Sequence, residues 1–162
     1  MKKLLLLLLA LTVIPVSAIW SQDGGTTVFG GLRYDDKVFG SLGSAQTLSP
    51  NVWIFEYVDV SLRADSGVHI SAAVDFAYLV DCPGLSALKV GILAGPDADW
   101  IGEVNDDRPL VSYLVGSGGW MASLRISEKI GAWGALKYKF KFDNNQLYRN
   151  GYIFGAGVFM GL

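Results

Sequence analysis

The sequence contains a single cysteine, Cys82, among its 162 residues. One cysteine excludes an intramolecular disulfide bond and also a metal site built from several thiolates. Basic residues are not in excess: removing Lys2 and Lys3 from the 13 basic residues leaves 11 against 15 acidic ones, a net charge of −4. A nucleic-acid partner is therefore not expected.

Long hydrophobic runs are also missing, apart from the one at the start of the chain. Residues 4–16 are apolar, follow Lys2 and Lys3, and end in Val16-Ser17-Ala18. This run is shorter than the ~20 residues that a membrane-spanning helix needs. The charged start, short apolar middle and small residues predict a signal peptide over residues 1–18, cleaved after Ala18. No cysteine lies near that junction, so a lipid-anchored lipoprotein is not expected.

The chain is nevertheless rich in apolar residues, which make up 51% of it, and it contains 20 glycines. Residues 131–142 show how the apolar residues are distributed. Every second residue from Ala132 to Phe142 is apolar or small, and Lys137, Lys139 and Lys141 stand between them. A period of two predicts a β-strand with an aromatic face and a lysine face. Such a strand fits a soluble sheet with its lysines in water or a membrane barrel with its aromatic residues in lipid.

The same alternation recurs along the chain and predicts eight strands. They cover residues 26–34, 37–43, 51–63, 68–80, 88–95, 110–125, 131–142 and 151–162. Short turns at residues 81–84 and 127–129 alternate with long loops at 96–109 and 143–150. Barrels of bacterial outer membranes place short turns on the periplasmic side and long loops outside. Residues 19–162 are therefore predicted to form one domain, an all-β, eight-stranded antiparallel up-and-down transmembrane β-barrel.

One predicted strand does not fit a single register. Glu56 and Asp59 have opposite parity in residues 51–63, so one of them would face the apolar side. A β-bulge near Tyr57 and Val58 would place both on the inner face. That bulge would also direct Trp53, Phe55 and Tyr57 outward.

In this architecture the chain resembles the small eight-stranded outer-membrane barrels, the OmpA-transmembrane and OmpX-like group. The resemblance covers residues 26–162 and implies a bacterial outer-membrane location, with outer-membrane lipid, lipopolysaccharide and the barrel-assembly machinery as partners. It also implies recognition of the last strand through its outward apolar residues, which are Tyr152, Phe154, Val158 and Met160. Leu162 stands where such barrels usually end on an aromatic residue.

The inner face of the predicted barrel carries most of the strand charges. The predicted lumen network contains Glu56, Asp59, His69, Asp75, Lys89, Lys137, Lys139 and Lys141, together with Arg33. Buried charges are normally paired or hydrated, so this network predicts a plug that fixes the strand register. A narrow leak lined by lysines and preferring anions is the alternative, although an eight-stranded barrel is only wide enough for its own side chains.

His69 and Ser71 form an H-x-S pair on one face of a strand, the spacing that lipid A deacylases use. In this chain the pair points inward, and Asp75 lies about 20 Å further along the strand, too far to orient the imidazole. A lumen histidine without catalytic function is therefore the preferred interpretation, and no catalytic residue is predicted.

The predicted loop at residues 96–109 is strongly acidic. Its carboxylates are Asp97, Asp99, Glu103, Asp106 and Asp107. A solvated loop is the simple interpretation, and cation bridges to lipopolysaccharide phosphates are the functional one, because hard cations prefer oxygen ligands. The spacing lacks the rest of an EF-hand loop, so neither a dedicated metal site nor a cofactor is predicted.

Together these features predict a non-enzymatic outer-membrane barrel of structural or surface-interaction type. A narrow porin-like channel is the alternative within the membrane class. A lipid A-modifying enzyme would require His69 and Ser71 to face the lipid. A soluble, secreted ligand-binding barrel would require the aromatic face to point inward and the lysine face outward. The sequence does not indicate an oligomeric state.

Overall fold

The structure, a computed structural model, describes residues 27–35, 37–62, 67–103, 111–141 and 151–161. They form eight strands: β1 (Thr27–Tyr34), β2 (Val38–Ser49), β3 (Val52–Leu62), β4 (Gly67–Cys82), β5 (Leu85–Glu103), β6 (Val111–Arg125), β7 (Ile130–Lys141) and β8 (Gly151–Gly161). Each strand pairs antiparallel with the next, and β8 closes the barrel on β1. The predicted eight-stranded antiparallel up-and-down barrel is confirmed. The predicted signal peptide lies outside the described residues.

The two ends of the barrel differ in their connections. Short connections join β2 to β3, β4 to β5 and β6 to β7 at the end that holds Thr27 and Gly161, here called the turn end. Gly84 has φ +81° in the turn before β5, a conformation that favours glycine. The other four connections lie at the opposite end, here called the loop end. No helix in the described ranges is long and apolar enough to cross a membrane.

Strand β7 shows how the alternating sequence becomes two chemically different faces. Lys137 and Lys139 are 4% and 2% exposed, whereas Tyr138 and Phe140 are 43% and 42% exposed. The lysines therefore lie inside the barrel and the rings on its outer surface, as the period of two predicts. This arrangement rules out the soluble alternative in which the lysine face meets the solvent.

The outer surface carries exposed apolar side chains from every strand. Its exposed large side chains include Leu32, Tyr34, Val38, Leu42, Val60, Phe76, Tyr78, Val80, Val90, Ile92, Leu114, Trp120, Leu124, Leu136, Tyr138, Phe140, Tyr152, Phe154, Val158 and Met160. A soluble monomer rarely exposes a continuous apolar surface of this extent.

The register of β3 differs from the sequence prediction. Pairing with β4 runs without a shift from Val52 to Leu62, so the predicted bulge at Tyr57 and Val58 is wrong. Phe55 is buried in the core, and Trp53 and Tyr57 pack against it. Successive side chains alternate across a strand, so Glu56 faces outward and is not part of the lumen.

Two strands are longer than the sequence predicts. Residues 44–49 of the proposed connection belong to β2, and residues 96–103 of the proposed loop belong to β5. Ladder pairing between β4 and β5 is interrupted opposite Gly95 and Pro96 and resumes in the same register. Proline lacks the N–H that a ladder needs, which accounts for the interruption. Beyond this point the strand continues, and it places Asp97 and Asp99 in the interior, where both are buried.

Two glycines leave room for aromatic rings inside the barrel. A Cβ on Gly131 would lie 2.0 Å from Cζ of Phe159, and one on Gly155 would lie 3.0 Å from Cζ3 of Trp133. The inward rings of the turn-end half therefore depend on the absence of side chains on neighbouring strands.

Candidate functional site

The interior of the barrel is divided into an apolar half and a charged half. Toward the turn end it is filled by rings and aliphatic side chains: Phe29, Ala45, Trp53, Phe55, Tyr57, Ala77, Leu79, Leu93, Met121, Trp133, Ala135 and Phe159. Toward the loop end lies the interior charge cluster, defined here as Arg33, Asp35, Asp59, His69, Asp75, Asp97, Asp99, Lys137 and Lys139, all buried. Buried charges need partners, so the pairing within this cluster determines what it can do.

Arg33 and Asp59 form the first ion pair of the cluster. Arg33 Nη1 donates to Asp59 Oδ2, and Ser41 Oγ donates to Asp59 Oδ1. The Arg33 guanidinium also lies 4.4 Å from the ring centroid of Phe39, a cation–π distance. This part of the cluster joins β1, β2 and β3 across the interior.

Lys137 forms the centre of the cluster. Its Nζ lies 2.7 Å from both Asp75 Oδ2 and Tyr57 Oη, and 3.9 Å from Asp97 Oδ1. Tyr57 Oη in turn donates to Asp75 Oδ2 at 2.8 Å. One lysine from β7 thus connects β3, β4 and β5, and its neighbour on the same face, Lys139, donates to Asp35.

His69 lies beside a carboxylate that the sequence prediction did not consider. Its Nε2 lies 3.4 Å from Asp99 Oδ1, and its ring contacts Phe39 at a centroid distance of 4.8 Å. Asp99 is on β5, opposite Ser71 of β4. Ser71 is fully buried, and its hydroxyl has no hydrogen-bond partner among the described residues. Ser71 and His69 therefore face the interior and do not lie on the outer surface.

The charge balance of the cluster differs from the lysine-lined lumen of the sequence prediction. Its carboxylates are Asp35, Asp59, Asp75, Asp97 and Asp99, whereas its permanent cations are Arg33, Lys137 and Lys139. Carboxylates therefore outnumber permanent cations among the described side chains. This charge balance does not favour the alternative of an anion-preferring leak lined by lysines.

Other predicted site residues lie elsewhere. Glu56 is on the outer surface, and Lys89 lies near the turn end, where its Nζ is 2.9 Å from Oδ1 of the exposed Asp81. Asp97 and Asp99, predicted as surface cation contacts, are each 1% exposed and belong to the interior. The side chains of Glu103 and Lys141 and the whole of Asp106 and Asp107 lie outside the described part of the chain.

The apolar half contains a cavity of about 90 Å³. Rings of Phe29, Phe55 and Trp133 line it, and Lys137 and Asp75 border it on the side of the charge cluster. Phe29 makes edge-to-face contacts with Phe55 and Trp133 at centroid distances of 5.8 and 5.6 Å. Side chains of both halves therefore project into the barrel interior and border this cavity.

No group of three or more histidine, cysteine, aspartate or glutamate residues in the described ranges could hold a metal ion. Four carboxylates of the charge cluster instead contact Arg33, Lys137 or Lys139, and the fifth, Asp99, lies beside His69.

Comparisons with known proteins identify the fold. No protein-family model matches the chain, and no curated protein matches it. The chain is similar in structure to the N-terminal β-barrel domain of Pseudomonas aeruginosa OprF, with a TM-score of 0.71 and 14% identity over 86% of this chain and all of that one.

Two further solved structures agree. A major outer membrane protein from Thermus thermophilus has a TM-score of 0.65 and 11% identity, covering 87% of this chain and 100% of that one. Neisserial surface protein A has a TM-score of 0.59 and 8% identity, covering 86% of this chain and 96% of that one. The fold is that of the small eight-stranded outer-membrane β-barrels, and the resemblance seen in the sequence is confirmed at the level of the fold.

Proposed function

We propose that the protein is an integral barrel of the bacterial outer membrane whose role is structural or surface-interacting, with an interior plugged by its own side chains. The observation that carries this proposal is the contrast between its two faces. The outer face carries exposed apolar side chains from every strand, whereas buried charges lie in the loop-end half of the interior. A lipid environment stabilises such an outer face, and a closed barrel leaves no unpaired sheet edge.

The fold neighbours support the location, since two of them are named as an outer membrane protein and a surface protein. Lipid and lipopolysaccharide are the partners that the outer face would meet, and the assembly machinery would recognise β8 through Tyr152, Phe154, Val158 and Met160. These four side chains all lie exposed on one face of β8. The carboxylates at 103, 106 and 107 remain the proposed contacts for cation bridges to lipopolysaccharide phosphates.

Fractionation and gel migration test the location. We expect the expressed protein in the sarkosyl-insoluble outer-membrane fraction, and we expect its unboiled form to migrate differently from its boiled form. A closed hydrogen-bonded barrel resists detergent at room temperature and opens on heating. Recovery in the soluble periplasmic fraction, with identical migration before and after boiling, would contradict the proposal.

The narrow channel is the alternative function, and conductance distinguishes it from a plug. We expect little or no conductance from the protein in planar bilayers, because rings and ion pairs occupy the barrel axis. Any residual current should prefer cations, since carboxylates outnumber permanent cations in the described interior. Stable anion-selective openings would overturn both parts of this prediction.

The protein is also proposed to have no enzymatic activity on lipid A. Ser71 and His69 are 0% and 2% exposed and face the interior, so an acyl chain in the membrane cannot reach them. Release of acyl chains from lipid A by the protein, lost in the Ser71→Ala variant, would contradict this.

A further inference from the structure

The cavity in the apolar half of the barrel is long for its volume. Its lining begins at Thr27, at the turn end of β1, and reaches Arg33, six positions further along the same strand. Six positions cover about 20 Å of strand, or about 15 Å along the axis of a barrel whose strands tilt by about 40°. The volume of about 90 Å³ is distributed over this length. The shape therefore suits a single unbranched chain.

The surface of this cavity is chemically uniform. Nearly all of it is carbon, contributed by aromatic rings on β1, β3, β7 and β8 and by aliphatic side chains such as Leu93 and Met121. The charged groups at its inner end, Lys137 and Asp75, already pair with each other at 2.7 Å. An apolar cavity stays dry, and a hydrocarbon gains free energy by leaving water for such a site. The lining therefore favours a hydrocarbon chain over a polar solute.

The cavity adjoins an open space at the turn end, here called the turn-end opening. Trp53, Ser123 and Phe159 line both the cavity and the opening. The connection from β4 to β5 borders the opening with Pro83 and Gly84. Short connections of outer-membrane barrels face the periplasm. A ligand from that side would reach the cavity without crossing the interior charge cluster.

The turn-end opening carries one cation in excess. Its charged side chains are Asp81, Lys89 and Arg125. Lys89 and Asp81 pair at 2.9 Å, whereas Arg125 has no ion pair among the described residues. Arg125 has the same parity on β6 as the buried Met121, so it lies on the inward face of the strand. A guanidinium at this position can bind a carboxylate through two parallel hydrogen bonds.

We propose that the barrel binds one unbranched fatty acid from the turn end. The hydrocarbon chain lies in the cavity among Phe29, Phe55 and Trp133, and the carboxylate lies in the turn-end opening beside Arg125. This inference goes beyond the proposed function and rests on it only for the side of the membrane from which the ligand enters. Two observations carry it: the long carbon-lined cavity and the uncompensated cation at its open end.

Equilibrium dialysis of labelled fatty acids tests the site directly. The folded barrel in lipid vesicles is compared with empty vesicles, and binding is referred to the free concentration in water. We expect one saturable site per chain. Its affinity should rise roughly fourfold per methylene from hexanoate to decanoate, because each methylene leaves water, and should level off once the chain fills the cavity.

A matched pair of variants on β7 tests the position of the hydrocarbon chain. Ala135→Leu places a larger side chain in the cavity, whereas Ala132→Leu places the same side chain on the outer face of the same strand. We expect Ala135→Leu to weaken decanoate binding by about tenfold or more and Ala132→Leu to leave it unchanged. Ser123→Leu, which narrows the passage between the opening and the cavity, provides a second blocking variant if Ala135→Leu loses the heat-modifiable fold.

Arg125→Gln tests the recognition of the carboxylate. Arg125 is exposed, so the fold should tolerate its loss. We expect decanoate to bind about fivefold more weakly to this variant at low salt, and the difference should shrink as salt is added. Decanol has the same chain without the charge, so it should bind the wild-type protein and Arg125→Gln equally.

Three outcomes would overturn the fatty-acid site while leaving the proposed function intact. They are equal uptake of decanoate by vesicles with and without a heat-modifiable barrel, equal binding by Ala135→Leu and Ala132→Leu, and equal weakening of decanoate and decanol by Arg125→Gln. Saturable decanoate binding by a protein recovered in the soluble periplasmic fraction would instead contradict the proposed location and leave the site in place.

Discussion

Replacing Lys137 with methionine is expected to lower the free energy of unfolding by about 3–5 kcal/mol, because the change leaves buried carboxylates without their cation. Lys137 is 4% exposed and contacts Asp75 and Asp97, which are each 1% exposed. Methionine fills a similar space, so the loss reports the charge and not a cavity. Urea unfolding in lipid vesicles, followed by tryptophan fluorescence and by the heat-modifiable gel shift, measures the change.

Lys89→Met is the matched control for this prediction. The Lys89 side chain is 29% exposed, and that of its partner Asp81 is 64% exposed. Exposed ion pairs contribute about 0–1 kcal/mol, so Lys89→Met should be nearly neutral.

A double variant separates the ion pair from packing. Adding Asp75→Asn to Lys137→Met removes one uncompensated carboxylate and should recover a large part of the lost stability. Equal effects of Lys137→Met and Lys89→Met, or no recovery in the double variant, would show that the interior charge cluster is hydrated and not tightly paired.

The strands themselves could be predicted from the sequence because the outer surface is uniform. An apolar residue at every second position is sufficient to find β7 and β8 and to assign their faces, as Tyr138 and Lys137 show. The length and hydrophobicity of the chain then allow few arrangements other than a closed barrel.

The interior could not be predicted in the same way, because it changes character along the barrel axis. On β3 the inward side chains are aromatic near the turn end and polar near the loop end, as at Phe55 and Asp59. A rule that assigns polar residues inward and aromatic residues outward therefore requires a bulge that is absent. A regular strand without a bulge places Phe55, Tyr57 and Asp59 on one face and is the simpler interpretation of this sequence.

The interior positions of Asp97 and Asp99 could not be predicted for a similar reason. Closely spaced carboxylates after a proline are typical of solvated loops, and nothing local distinguishes water from a charged interior. Their partners are distant in sequence: Lys137 lies 3.9 Å from Asp97, and His69 lies 3.4 Å from Asp99. Such contacts are fixed by barrel closure and strand register, neither of which a local pattern determines.

Truncating Phe29 should destabilise the apolar half as strongly as Lys137→Met destabilises the charged half. Phe29 is 6% exposed and makes edge-to-face contacts with Phe55, Tyr57 and Trp133. It also borders the cavity of about 90 Å³. Phe29→Ala therefore loses the free energy gained by transferring the ring out of water, and it enlarges an existing cavity. We expect the free energy of unfolding to fall by about 3–5 kcal/mol in the same urea experiment.

Phe76→Ala is the control for the cavity contribution, because Phe76 is 53% exposed on the outer surface. Its truncation should lower the free energy of unfolding only by the transfer free energy of the ring, about 2 kcal/mol, since lipid fills the vacated space. Benzene distinguishes the two variants further: an enlarged apolar cavity stays dry and binds it, which should restore part of the stability of Phe29→Ala. Equal losses in the two variants, or rescue of neither by benzene, would show that the turn-end half of the barrel is filled by water and not closed by its rings.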